Sequence, residues 1–164
     1  MVETGRRRAA GGTVDGLALA ITGAGMLAAA LMVLADFLPI VSVDVAGGSC
    51  EVINDTSPEL ADRCEQSGFE RHGPALVLLA LVVAAMAWGA GVGGSRPAAV
   101  ALVAVGLVVL AIALLVDLPA TDDTGAIGPR FDGAVAQAEV GFTLELAAGA
   151  LAAVASAARL LRVG

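Results

Sequence analysis

Four long apolar stretches constrain the fold of this chain more than any other feature. A helix needs roughly 20 apolar residues to cross a hydrocarbon core about 30 Å thick. No proline interrupts the stretches beyond their first turn, where a missing N–H costs no hydrogen bond. We therefore predict an all-α integral membrane fold with four transmembrane helices, TM1 to TM4, over residues 16–38, 74–94, 97–118 and 140–161.

These helices would make the whole chain, 1–164, a single four-helix membrane domain. Pro39 and Pro119 follow the ends of TM1 and TM3, where proline cannot continue a helix. The remaining segments are then a cytoplasmic tail 1–15, a first outer loop 39–73, an inner turn 95–96, a second outer loop 119–139 and a cytoplasmic end 162–164.

Composition agrees with a membrane protein and indicates its source. Hydrophobic residues make up 58% of the chain and the mean hydropathy is +0.88, whereas a soluble domain is nearer half apolar. All nine basic residues are arginine, and this bias, with heavy use of Ala, Val and Gly, indicates a bacterial chain. No basic stripe with interleaved aromatic residues occurs, so we expect the lipid bilayer, and not nucleic acid, as a partner.

The arginines orient the predicted helices, because cytoplasmic segments of membrane proteins are enriched in arginine and lysine. Three precede TM1, one lies in the turn between TM2 and TM3, and two lie at the end of TM4: Arg6, Arg7, Arg8, Arg96, Arg159 and Arg162. Four spans bring these segments to one side. We expect a multi-pass protein of the bacterial cytoplasmic membrane with both termini in the cytoplasm.

Both cysteines, Cys50 and Cys64, fall in the first outer loop. Disulfides persist outside the cytoplasm, and closing a loop of about 15 residues is worth roughly 3 kcal/mol in the chain-entropy model. We predict a structural disulfide. A redox pair is disfavoured because the spacing is not Cys-x-x-Cys. A metal site is not expected, because these cysteines and His72, the single histidine, do not supply four ligands.

The two outer loops hold 11 of the 16 acidic residues. In the first loop, residues 40–46 alternate between apolar and polar types and are rich in β-branched residues, which predicts a strand. Residues 50–53 would pair back onto this strand across Gly47 and Gly48. The sequence therefore predicts a small, acidic, disulfide-tied extracytoplasmic loop that holds a short β-hairpin.

Two aspartates occupy matching places where TM1 and TM3 end. Asp36 begins Asp-Phe-Leu-Pro and Asp117 begins Asp-Leu-Pro, which favours a duplicated helical hairpin, although the similarity is short. A carboxylate at a helix C-terminus costs about 0.3–1 kcal/mol, so we consider Arg71 and Arg130 as candidate ion-pair partners. The alternative is that each aspartate only marks the water boundary.

Glu145 lies about six residues inside TM4, or roughly 9 Å below its outer end at 1.5 Å per residue. Helical spacing places it on a face of small residues that lets helices approach closely, so we expect it to point into the bundle. It is either a structural, hydrogen-bonded residue or a proton or cation site, since intramembrane carboxylates are costly and often functional. The face consists of Gly141, Ala148, Gly149, Ala152 and Ser156.

No nucleophile–base pair, metal cluster or phosphate-binding motif occurs in the sequence, so we expect neither an enzyme nor a cofactor. Two functions remain. The first is an accessory subunit or envelope scaffold, presenting the outer loop to other membrane-protein subunits or within a homo-oligomer. The alternative is a small solute transporter, or a proton- or cation-coupled one, that uses Asp36, Asp117 and Glu145.

Overall fold

The structure is a computed structural model that describes residues 16–48 and 50–162. The predicted tail 1–15, with Arg6 to Arg8, and residues 163–164 lie outside the described residues. The helices are α1 Gly16–Phe37, α2 Cys50–Thr56, α3 Ala61–Cys64, α4 Gly68–His72, α5 Ala75–Gly91, α6 Arg96–Ile112, α7 Leu118–Ala120 and α8 Val140–Arg162. A 3-10 turn, Pro58–Leu60, precedes α3, and a π-helical turn, Ala113–Asp117, joins α6 to α7. The strands are β1 Pro39–Asp44, β2 Glu65–Ser67 and β3 Val135–Ala138.

Four long helices, one in each apolar stretch, form a bundle. Helices α1 and α6 each pack against both α5 and α8, so every helix has two neighbours in the bundle. The interior is filled by buried apolar side chains such as Met32, Val83 and Leu102. Van der Waals packing of these side chains, together with close approach of the helix backbones, holds the helices together.

Glycines let the helices approach each other at two contacts. Between α6 and α8, a Cβ at Gly106 would lie 2.7 Å from the backbone nitrogen of Ala153 and 2.8 Å from the carbonyl oxygen of Gly149. Between α1 and α5, a Cβ at Gly25 would collide with Ala87. Such small-residue contacts are typical of helices that pack in a membrane.

The outside of the bundle is apolar. Large hydrophobic side chains such as Leu19, Leu81, Trp88 and Leu115 are exposed along its length, and soluble monomers rarely expose extended apolar surfaces. Three helices are long and apolar enough to cross a membrane: Gly16–Phe37, Arg96–Ala120 and Val140–Leu161. The fourth, α5, is apolar but has 17 residues.

At one end of the bundle, residues 39–48, 50–72 and 121–139 form a small folded region, called the cap below. Its sheet has the order β2–β1–β3, with β1 antiparallel to both neighbours. The Cys50–Cys64 disulfide is present, with Cα atoms 5.5 Å apart, which confirms the predicted bond. The cap also has a core of its own, made of Val43, Val45, Ile53, Leu60, Cys64 and Ile127.

The cap corrects two parts of the predicted fold. The protein is mostly helical but not all-α, because the cap contains a three-stranded sheet. The predicted hairpin partner, residues 50–53, begins α2, and only an isolated bridge between Val45 and Gly48 remains of that pairing. Both edges of β1 are hydrogen-bonded to other strands, β2 and β3, so no edge is left for residues 50–53. Ile53 instead packs into the cap core from α2. A short apolar segment cannot be assigned to strand or helix by periodicity alone.

Candidate functional site

Three carboxyl groups are buried where the bundle meets the cap. The side chains of Asp36, Asp117 and Glu145 are all 0% exposed. They come from the last turn of α1, the π-helical turn and the second turn of α8. Buried carboxylates are costly without partners, and we call these three side chains the carboxyl cluster.

The local structure of each helix directs these side chains inward. On α8, the small-residue face that carries Glu145 is buried throughout. On the other side, the π-helical turn carries Asp117 and packs against α8. Within this turn Asp117 is buried, while Leu115, two residues earlier, is exposed, and π-turns are frequent at functional sites.

A short helix, α4, brings two basic side chains to the cluster. A capping box fixes its start: Ser67 Oγ accepts a hydrogen bond from the Glu70 amide at 3.3 Å, and Glu70 Oε2 accepts one from the Ser67 amide at 2.7 Å. Gly68 allows α4 to lie on the end of α1, since a Cβ there would lie 2.8 Å from the Cα of Asp36. Arg71 and His72 at the end of α4 therefore face the carboxyl groups.

Asp117 is fully partnered by these two side chains. Arg71 Nε donates to Asp117 Oδ1 at 2.8 Å, and His72 Nε2 lies 3.1 Å from Oδ1 and 3.0 Å from Oδ2. Arg71 Nη1 also donates to Gln66 Oε1 at 3.0 Å. These contacts tie the cap to the π-helical turn, and we call the Arg71–Asp117–His72 group the clamp.

The other two carboxyl groups have no such partners. No hydrogen-bond partner within the described part of the chain reaches either oxygen of Asp36 or of Glu145. Glu145 interacts electrostatically with Asp117 above all, and also with Arg71 and Asp36, while Asp36 interacts with His72. The contact between Glu145 and Asp117 joins two carboxyl groups, so it becomes a hydrogen bond only when one of them carries a proton.

An open cavity of about 730 Å³ reaches the clamp from the cap surface. Its lining includes Arg71 and His72, whose side chains are 17% and 13% exposed. Acidic side chains also line it, namely Glu59, Asp62 and Glu70. The clamp therefore lies between solvent on one side and the unpartnered carboxyl groups on the other.

The two arginines considered from sequence have different places in the structure. Arg71 contacts Asp117, whereas Arg130 pairs with Glu59 at 2.7 Å in an exposed part of the cap. Sequence reasoning weighed His72 only as a metal ligand and missed its contact with Asp117. His72 directly follows Arg71 at the end of the first outer loop. This position could have indicated that His72 contacts the same aspartate as Arg71.

Within residues 16–48 and 50–162, no group of three or more His, Cys, Asp and Glu side chains is arranged to hold a metal ion. Comparison of the chain with protein-family models, with curated proteins and with solved structures finds no match. We therefore infer a function from the geometry of the chain itself.

Proposed function

We propose that this chain is a four-span protein of a bacterial cytoplasmic membrane that acts as an accessory or scaffold subunit and presents its cap outside the cell membrane. The observation that carries the proposal is the cap itself. It has its own core, a sheet that joins both predicted outer loops, and a disulfide. A chain that only had to cross the membrane would need none of these.

The position of α5 supports a fourth span. It packs against α1 and α6 within the bundle, and its 17 residues cover about 26 Å at 1.5 Å per residue. That length is close to the roughly 30 Å of a hydrocarbon core. With four spans, the arginines of the N-terminal tail, of the α5–α6 turn and of the end of α8 lie together on the cytoplasmic side.

The surface of the cap suits it to binding another protein. Its two loops carry 11 acidic residues against three arginines, and most of these acids are exposed. Complementary charge guides association and restricts the choice of partner. A basic region of another membrane-protein subunit, or of a neighbouring copy, is the partner that this surface fits.

Native purification in mild detergent, followed by cross-linking of cap carboxyl groups to amines of a bound partner, tests the proposal. We expect the chain to hold a protein partner in fixed stoichiometry, and the cross-links to fall on cap residues. A variant with Cys50→Ser and Cys64→Ser should lose the partner, whereas the control Gly23→Ala, at an open helical position, should keep it.

The second candidate is a small proton- or cation-coupled transporter, which the unpartnered Asp36 and Glu145 favour. The same purification separates the two functions. A chain that purifies alone and whose thermal stability rises with one added solute would contradict the accessory role and support transport.

A further inference from the structure

Glu145, like Asp36, is a buried carboxyl group without a hydrogen-bond partner among the described residues. It is 0% exposed and both of its oxygens lack a hydrogen-bond partner. An isolated ionised carboxylate in such a place is strongly unfavourable. A ligand that supplies positive charge or a hydrogen bond would remove this cost.

The groups that face Glu145 favour a proton as that ligand. They are Asp117 from the π-helical turn, Arg71 from α4 and Asp36 from α1, while His72 from α4 faces Asp117 and Asp36. Three carboxyl groups thus share one guanidinium and one imidazole, both already directed at Asp117. Among the described residues, no group of side chains is arranged to bind a metal ion. One proton shared by Glu145 and Asp117 would instead create a hydrogen bond between the two carboxyl groups.

A route for that proton runs through the clamp. His72 lines the open cavity and lies 3.0 Å from Asp117 Oδ2, and Asp117 in turn interacts with Glu145. Imidazole is the side chain best suited to take up and release protons near neutral pH. The order from solvent to the interior is therefore cavity, His72, Asp117, Glu145.

We propose that Glu145 and Asp117 form a proton-binding site that exchanges with solvent in the cap-end cavity through His72. In the uptake step, a hydronium ion in the cavity gives a proton to the imidazole, and the imidazole passes a proton to the Asp117 carboxylate. Asp117 then shares this proton with Glu145. The net result is one bound proton and one water molecule, and the site exists whether the chain serves as an accessory subunit or as a transporter.

Infrared spectroscopy of the full chain in lipid vesicles tests the proposal. We expect the carbonyl band of a protonated carboxyl group at neutral pH, and its loss in alkaline buffer. The band should be missing from Glu145→Gln. Asp62→Asn removes an exposed carboxyl that lines the same cavity, so this control should keep the band.

Isotope labelling makes the test independent of how the variants fold. In native protein carrying carbon-13 in its glutamate carboxyl groups, the band should shift to lower frequency. A band that does not shift, or its absence at neutral pH, would overturn the assignment to Glu145. His72→Gln should slow hydrogen–deuterium exchange of the band at least tenfold, and an unchanged rate would overturn the route through His72.

Discussion

Replacing Arg71 with glutamine is expected to weaken the attachment of the cap to the bundle. The change removes the 2.8 Å contact with Asp117 and the 3.0 Å contact with Gln66. It leaves the fully buried Asp117 carboxylate with His72 as its remaining partner among the described side chains. Breaking a fully buried ion pair costs about 3–5 kcal/mol. Because Arg71 is 17% exposed and His72 stays in place, we expect a loss of about 2–3 kcal/mol in the free energy of unfolding.

The matched control is Arg130→Gln. This change breaks an ion pair of similar length, 2.7 Å to Glu59, but its two side chains are 55% and 60% exposed. Exposed pairs contribute about 0–1 kcal/mol, so the control should be nearly neutral. The comparison therefore isolates the effect of burial.

Two measurements check this prediction. In mild detergent, the melting temperature of Arg71→Gln should fall by about 4–12 °C, since each kcal/mol shifts a protein of this size by roughly 2–4 °C. Hydrogen exchange should be faster in α4 and β2 while the middle of α5 stays protected. If Arg71→Gln and Arg130→Gln lose the same stability, the reasoning about the buried clamp is refuted.

Two further predictions concern the cap and the bundle. Replacing Cys50 and Cys64 with serine should lower the unfolding free energy of the cap by about 3 kcal/mol, as measured by urea titration; a variant as stable as the oxidised native protein would contradict this. Gly106→Ala should lose about 1–3 kcal/mol because the new methyl group meets the backbone of Ala153, whereas Gly23→Ala, in open space, should gain up to about 1 kcal/mol. Equal thermal stability of these two alanine variants would show that α6 and α8 do not pack as described.

The long helices were predictable because each coincides with one continuous apolar stretch of the sequence. Helix α1 covers Gly16–Phe37 and α8 covers Val140–Arg162, close to the apolar runs 16–38 and 140–161. The signals are continuous, and prolines and glycines mark their ends. Whether all four helices cross the membrane, and whether the two halves are duplicated, stay predictions.

The sheet and the clamp could not be read from local patterns. Val43 pairs with Ala136, and Arg71 contacts Asp117, so the partners are separated by long stretches of chain. Strand β3 reads Val-Ala-Gln-Ala, with only one β-branched residue to indicate a strand. The π-helical turn that ends with Asp117 has no composition signal of its own. The burial of Asp117 follows from the packed fold and not from its neighbours in sequence.

The proposed position of the cap outside the cell membrane is tested most directly by labelling single introduced cysteines. The native Cys50 and Cys64 are bonded to each other and will not react with a maleimide. Ala126→Cys lies at an exposed position of the cap, and Pro97→Cys lies at an exposed position at the start of α6, in the opposite turn. With a membrane-impermeant maleimide on intact cells, we expect Ala126→Cys to be labelled and Pro97→Cys to be labelled only after permeabilisation. Labelling of Pro97→Cys but not Ala126→Cys in intact cells would place the cap in the cytoplasm and contradict the proposed topology and function.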